Sequence, residues 1–165
     1  MIQVYLEGHA YKHDLFELIR VFFPGRQINF VEKEKRGKCK YLIESILTEK
    51  SGKFFKITNL YKDSQLIKTI REEINDKMYK GLDMESLIKL RIKRGVYLIL
   101  SSSLDIDLPW GILTGIRPVK LVHDFYEKEM ENKIRYILEK EYKLDETRVE
   151  LLLQVAAIQN NTFTL

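Results

Sequence analysis

Cysteine is almost absent from this sequence. Cys39 is the only cysteine among the 165 residues, and there are three histidines. Because a disulfide needs two thiols, none can form within the chain, which is typical of a protein from a reducing compartment. The few thiols and imidazoles also lack the spacing of a zinc site. The sequence therefore predicts neither a disulfide framework nor metal-binding residues.

Long apolar runs and glycine-rich loops are missing as well. No stretch approaches the roughly 18 uninterrupted apolar residues of a membrane-spanning helix, and the first residues lack a basic segment followed by an apolar one. The chain has eight glycines, and Gly111 and Gly115 are too sparse for a dinucleotide-binding or phosphate-binding loop. We therefore expect a cytoplasmic protein with no membrane partner.

The residues that are present are typical of a folded domain, with 45% hydrophobic and 32% charged side chains. Ile2, Val4 and Leu6 alternate with polar neighbours, which predicts a strand, and apolar residues at helical spacing predict a helix over 13–23. Three strand-like runs follow, at 27–31, 41–48 and 54–61. The last two are joined by a hairpin turn at 50–52.

The remainder of the sequence predicts helices. Their expected positions are 64–80, 83–103 with Asp83 as the cap, a helix starting at Pro118, 132–142, and a last helix starting at a capping box over 147–150. We therefore expect an α+β fold. An accessory domain over 1–103 would contain a small antiparallel or mixed sheet with packed helices, and 104–165 would form a helical extension.

The net charge is +4, and basic residues cluster at Lys33–Lys40 and Lys89–Arg94. Our preferred interpretation is that both clusters are solvated surface. The alternative is a nucleic-acid-binding module that uses the basic helix 89–94, with tyrosines and phenylalanines of the sheet as stacking platforms. We expect Lys89, Arg91, Lys93 and Arg94 to lie on the exposed side of that helix.

The segment from Pro109 to Lys120 carries the most informative combination of residues. Its glycines permit unusual backbone angles, Pro118 suits a first helical turn, and Arg117 and Lys120 bring two cations to the start of that helix. Such a corner can bind an anion. The alternative is structural: Trp110 fills the core, the glycines form turns, and Arg117 bonds a carbonyl or carboxylate.

The run from Trp110 to Lys120 resembles a signature in the amino-terminal region of oxygen-independent coproporphyrinogen III oxidase-like proteins, a radical-SAM family also called coproporphyrinogen dehydrogenases. The core of that signature is Thr114-Gly115-Ile116-Arg117-Pro118. The similarity continues through two later runs, at 138–142 and 151–156. It covers about 84–159, whereas 1–83 matches only in general pattern.

The resemblance implies a place in haem and porphyrin biosynthesis. In this family the region precedes a radical-SAM barrel, whose C-x-x-x-C-x-x-C motif holds a 4Fe-4S cluster. With S-adenosylmethionine, that barrel oxidatively decarboxylates porphyrinogen propionates to vinyl groups. Cys39 is a single thiol where the cluster needs three, so the cluster, its cofactor and the catalytic residues cannot lie in this chain.

We therefore expect the chain to be the amino-terminal accessory region of a longer oxidoreductase, either substrate-guiding or interdomain, and non-catalytic in isolation. Its partners would be the downstream radical-SAM domain and a carboxylate-bearing tetrapyrrole, with nucleic acid less favoured. The substrate-binding candidates are Arg117 and Lys120. Two alternatives stay open. The longer protein can be a relative that handles haem without oxidase activity, or this chain can be a scaffold whose apolar last helix only packs against another domain.

Overall fold

The structure is a computed structural model that describes residues 1–75, 82–114, 117–128 and 131–163. Five strands form one mixed sheet in the order β2-β1-β3-β4-β5. The strands are β1 (Ile2–Glu7), β2 (Ile28–Phe30), β3 (Tyr41–Lys50), β4 (Lys53–Lys62) and β5 (Gln65–Ile74). β1 is parallel to both β2 and β3, and the other pairs are antiparallel. With its helices, the chain has the expected α+β fold.

The helices are α1 (Lys12–Phe22), α2 (Met84–Leu104), α3 (Pro118–Glu127), α4 (Ile134–Tyr136) and α5 (Glu146–Phe163). A π-helical turn, Ile137–Glu141, continues α4. Asp83 caps α2 as predicted, since its carboxylate accepts a hydrogen bond of 2.8 Å from the Ser86 backbone N–H. Pro118 occupies the first turn of α3, also as predicted.

Two helix predictions were wrong. Residues 65–74 form β5 instead of a helix, and the rest of the predicted helix, 76–81, lies outside the described residues. The reason is the two-residue turn Asp63-Ser64, which turns the chain back along β4. The capping box at 147–150 was also misplaced: α5 begins at Glu146, and Asp145 accepts a 2.7 Å bond from the Arg148 N–H.

The hydrophobic core lies between one face of the sheet and the helices. From the sheet it receives Val4, Ile43 and Leu60, and from α1 and α2 it receives apolar side chains such as Leu18 and Val96, all of them fully buried. Buried residues of α3, the π-helical turn and α5 belong to the same cluster. The boundary between the two predicted domains, at 103/104, coincides with the end of α2 at Leu104 and stays a prediction.

The opposite face of the sheet is partly covered by the loop between β2 and β3. Arg36 of this loop stacks on the Tyr5 ring at 4.3 Å, and the Gly37 N–H donates to the side chain of Gln3 at 3.2 Å. The polar side chains Glu44, Asn59 and Tyr61 lie on the same face. The two faces therefore differ in chemistry, one apolar under helices and the other polar under a loop.

Candidate functional site

Arg117 and Lys120, the predicted anion-binding pair, lie at the start of α3. Both side chains are exposed. Arg117 precedes the first helical residue, and its carbonyl accepts the Leu121 N–H at 3.3 Å, so the helix holds its backbone in place. Lys120 is 3.8 Å from Asp124 one turn later. The pair therefore presents two cations to solvent, where an anion can reach them.

The segment before this pair is bound tightly to the turn that precedes α5. The Ile112 N–H donates to the Tyr142 carbonyl at 2.9 Å, and the Asp145 N–H donates to the Pro109 carbonyl at 3.0 Å. Gly111 has a φ of +53°, and a Cβ there would stand 2.0 Å from the Tyr142 carbonyl oxygen. Only glycine fits this contact, so Gly111 has a structural role. Gly115 and Ile116 lie outside the described residues.

Trp110 packs against the outside of the core, whereas the structural interpretation of this segment placed it within the core. Its ring is half-buried and packs against the hydrophobic cluster. The Arg148 guanidinium lies 5.7 Å from the ring centre, which is cation–π distance. The signature segment thus has two parts: residues 109–113 are hydrogen-bonded to the segment before α5, while Arg117 and Lys120 stay exposed.

The basic helix residues 89–94 do not form the exposed stripe that was predicted. The Lys93 residue is only 4% exposed, and Arg91 and Arg94 have side chains that are 11% and 20% exposed. Both arginines contact Glu72 of β5 and Glu141 of the π-helical turn. Lys89 pairs with Asp14 at 3.0 Å. Most of this charge serves contacts within the molecule, because α2 is packed on both sides.

Lys56 of β4 lies at the centre of these contacts. Its ammonium is 2.9 Å from Glu72 and donates to the Arg91 carbonyl at 2.6 Å, while its side chain is only 1% exposed. Burial lowers the pKa of Lys56. For Glu72, burial alone would raise the pKa, but Lys56 and the two arginines outweigh that effect and lower it. The result is a buried network of three cations and two carboxylates.

This network explains Gly95, a glycine in the interior of α2. A Cβ at Gly95 would stand 2.9 Å from the Lys56 ammonium and 2.8 Å from the Thr58 hydroxyl oxygen. The glycine therefore lets α2 approach β4 closely enough to cover the buried lysine. We interpret the network as a structural joint between the sheet, α2 and the π-helical turn.

His9 and Ser45 form the one contact that resembles a catalytic dyad among those described. The His9 Nε2 atom is 3.0 Å from the Ser45 hydroxyl oxygen and 3.1 Å from the Ser45 carbonyl oxygen. The Tyr11 N–H donates to His9 Nδ1 at 3.4 Å. Since Nδ1 accepts, Nε2 carries the proton and donates to the carbonyl, so His9 is not placed to deprotonate Ser45.

Among the residues that the structure describes, no group of three or more histidine, cysteine, aspartate or glutamate side chains is arranged to hold a metal ion. In the same part of the chain, no helix is both long and apolar enough to cross a membrane. Burial raises the pKa of the half-buried Cys39 thiol, which lowers its thiolate fraction at neutral pH.

Sequence reasoning missed the charged contacts between distant elements. Glu72 was placed on the predicted helix 64–80 and Glu141 on the predicted helix 132–142, whereas in the structure both bind the arginines of α2. The sequence carried one usable signal, a cluster of cations at 89–94 with too few carboxylates nearby to neutralise it locally.

Comparison with known proteins gives this chain no relative: no family model matches the sequence, and neither a curated protein nor a solved structure is similar to it.

Proposed function

We propose that this chain is the amino-terminal accessory region of an oxygen-independent coproporphyrinogen III oxidase-like radical-SAM protein, and that it guides a carboxylate-bearing tetrapyrrole towards a separate catalytic domain. The observation that carries the proposal is the division of the signature segment. Residues 109–113 make backbone hydrogen bonds and core contacts, whereas Arg117 and Lys120 stay exposed at the start of α3. Two cations three residues apart at the start of one helix suit propionate carboxylates.

The role proposed for these cations is binding and orientation. A guanidinium offers paired N–H donors that match a carboxylate, and the positive end of α3 adds to its attraction for an anion. The chain supplies no iron–sulfur ligand set, because Cys39 is its single thiol. Electron transfer and radical formation therefore belong to the catalytic domain, with the 4Fe-4S cluster and S-adenosylmethionine bound there.

An interdomain contact through α5 is part of the same proposal. Leu151 and Ile158, seven residues apart and so on one side of the helix, are 47% and 66% exposed. Exposed aliphatic side chains on one side of a helix are typical of a surface that another domain covers. α3 lies beside α5, where His123 and Gln159 are within 3.2 Å, so the cations and this apolar side belong to neighbouring helices.

Tetrapyrrole binding tests the guiding role directly. Coproporphyrin III should bind the purified chain and quench the Trp110 fluorescence, and Arg117→Ala or Lys120→Ala should weaken binding about tenfold, the value of a charge-assisted hydrogen bond. Lys128→Ala is the matched control, because Lys128 is an exposed cation at the other end of the same helix. Equal affinity of all four proteins removes Arg117 and Lys120 from the site.

A second measurement tests the assignment of the chemistry to another domain. The chain should be reconstituted with iron and sulfide and then given S-adenosylmethionine and a reductant. We expect no 5′-deoxyadenosine, because one thiol cannot hold the cluster. Reductive cleavage by the monomeric chain would contradict the accessory role, even if tetrapyrrole binding had been observed.

A further inference from the structure

A cavity lies on the polar face of the sheet, away from the signature segment. It has a volume of about 400 Å³, and its walls include Arg36, Lys38, Cys39, Leu42, Tyr61 and Ser64. The loop between β2 and β3 forms one wall, and the start of β3, the end of β4 and the turn after β4 form the other. The pair Arg117 and Lys120 takes no part in it, so its chemistry is independent of the function proposed above.

Arg36 is held in place by a carboxylate beneath the sheet surface. One of its terminal nitrogens is 2.5 Å from Glu44, whose side chain is only 6% exposed. The Asn59 side chain donates to the same carboxylate at 2.8 Å, and the Tyr61 hydroxyl donates at 3.3 Å. A buried acid with three donors around it cannot move freely, so it fixes the guanidinium of Arg36 at the cavity.

The stacking partner of Arg36 restrains it further. Its guanidinium carbon lies 4.3 Å from the centre of the Tyr5 ring. Arginine prefers such a planar contact because its charge is delocalised and weakly hydrated. A guanidinium has five N–H donors, and the ion pair with Glu44 occupies only some of them. The others can donate hydrogen bonds to the oxygens of an anion. A cation restrained by a buried acid and an aromatic ring is typical of a binding site.

The other walls indicate what the anion is attached to. The side chain of Leu42 and the ring of Tyr61 provide an apolar surface beside the Arg36 guanidinium, and Lys38 adds a second positive charge. Lys40 and Lys62 are the neighbours in sequence of wall residues, and Asp63 is the acid beside Ser64. The cavity is therefore cationic with one apolar wall, and its volume of about 400 Å³ is large enough for a single substituted ring.

We propose that this cavity binds a small oxyanion, a phosphate or a carboxylate, that is carried on an aromatic ring, with Arg36 bound to the oxyanion and Tyr61 against the ring. The ion pair with Glu44 positions Arg36 and leaves donors for the ligand. This site differs from the candidate tetrapyrrole site in its residues, its place in the fold and its ligand size.

The single cysteine provides the readout, because Cys39 lies in the cavity wall. Phenyl phosphate and benzoate are the probes, and inorganic phosphate and acetate are their ring-free controls. We expect one of the ring-bearing probes to slow alkylation of Cys39 by iodoacetamide in a saturable manner, and to do so at a concentration about tenfold or more below its control. Which probe is more effective identifies the oxyanion.

Variants then separate binding from folding. Arg36→Ala should abolish the protection, but it leaves Glu44 without its cation and can destabilise the loop. Lys38→Ala is therefore the second variant: its side chain is exposed, and it should weaken protection several-fold while circular dichroism stays unchanged. Lys128→Ala, an exposed cation remote from the cavity, should behave as wild type. Failure of all four probes to slow alkylation, or full protection in both folded cavity variants, overturns the proposal.

Discussion

His9 connects the segment after β1 to β3 through its Nε2 atom. It contacts Ser45 through Nε2 and the Tyr11 N–H through Nδ1, and its ring stacks on Tyr11 with centres 5.4 Å apart. Burial lowers the pKa of His9 below its ordinary value of 6.5. The unfolded chain therefore binds a proton at His9 before the folded chain does, as the pH falls below 6.5.

We predict that the free energy of unfolding falls as the pH is lowered from 6.5 towards the lower pKa of folded His9. The variant His9→Gln should lose this contribution to the pH dependence of stability. Glutamine keeps a side-chain N–H for the Ser45 carbonyl but does not titrate. Urea unfolding, followed by Trp110 fluorescence at pH 7 and at lower pH, measures the free energy of unfolding at each pH. His13→Gln is the matched control, since His13 is exposed, and it should keep the wild-type slope.

Gly95 permits the close contact between α2 and β4. In an exposed helix, alanine in place of glycine stabilises by about 1 kcal/mol. Here the added Cβ would stand 2.8 Å from the Thr58 hydroxyl oxygen and 2.9 Å from the buried Lys56 ammonium, which two hydrogen-bonding partners hold in place.

We therefore predict that Gly95→Ala lowers the free energy of unfolding by about 1–3 kcal/mol, the usual cost of overpacking, despite its gain in helix propensity. Thermal unfolding measures the change. Gly37→Ala is the control, because a Cβ there meets only the Gln3 amide at 3.6 Å and should change stability little. A Gly95→Ala protein more stable than wild type would contradict the proposed contact.

The hairpin of β4 and β5 depends on a turn of two residues in an unfavourable conformation. Asp63 and Ser64 have φ values of +49° and +67°, in the left-handed region. Two-residue turns of this kind suit the twist of antiparallel strands and favour glycine at the second position. The chain tolerates Ser64 there because strand pairing along the whole of β5 offsets the cost.

Replacing Ser64 by glycine should stabilise the protein by about 0.5–1 kcal/mol, because glycine adopts this backbone without the strain of a Cβ. Ser64→Ala is the matched control: it also loses the hydroxyl but keeps the Cβ, so it should bring no gain. Chemical denaturation of the two variants distinguishes these outcomes. If both variants have the same stability, backbone strain at the turn is not what limits the hairpin.

β5 also shows why the sequence predicted some elements and missed others. Leu66, Ile67, Ile70 and Ile74 fit a helical stripe, and only pairing with β4 decides for a strand. The hairpin of β3 and β4 was predictable because its turn contains Gly52, with a φ of +74°. Elements that are flanked by a glycine-containing turn or a helix cap could therefore be predicted from the local sequence. β5 could not, because its strand conformation requires pairing with β4 and the turn before it contains no glycine.

The candidate sites divide in the same way. Arg117 and Lys120 stand in a contiguous segment, so their exposure on a helix start could be predicted from Pro118. The position of Glu44 opposite Asn59 also follows once the 50–52 turn sets the register of β3 against β4. The contact of Glu141 with α2 could not be predicted, because it joins segments separated by about fifty residues with no local signal.

For the molecule as a whole, the sheet part and the helical part share their stabilising contacts. The hydrophobic cluster that contains Val4 and Leu60 also contains Val122 and Leu152. Glu141 carries ion pairs from the π-helical turn to Arg91 and Arg94 of α2. A chain of this size with one continuous core is expected to unfold in a single cooperative transition.

Two residues allow this cooperativity to be measured without introducing a probe by mutation, since the chain has one tryptophan and one cysteine. Trp110 reports on the helical part. Cys39 reports on the sheet part, and it should react slowly while folded because burial raises the pKa of its thiol. We predict that Trp110 fluorescence and pulsed alkylation of Cys39 give the same urea midpoint.

Glu141→Gln should lower both midpoints together, since removing one partner of a buried ion pair costs about 3 kcal/mol or more. Glu146→Gln, an exposed acid at the start of α5, is the control and should leave both midpoints near those of wild type. If Trp110 unfolds at lower urea than Cys39 becomes reactive, the helical part is a separate cooperative unit, and the ion pairs of Glu141 do not couple it to the sheet.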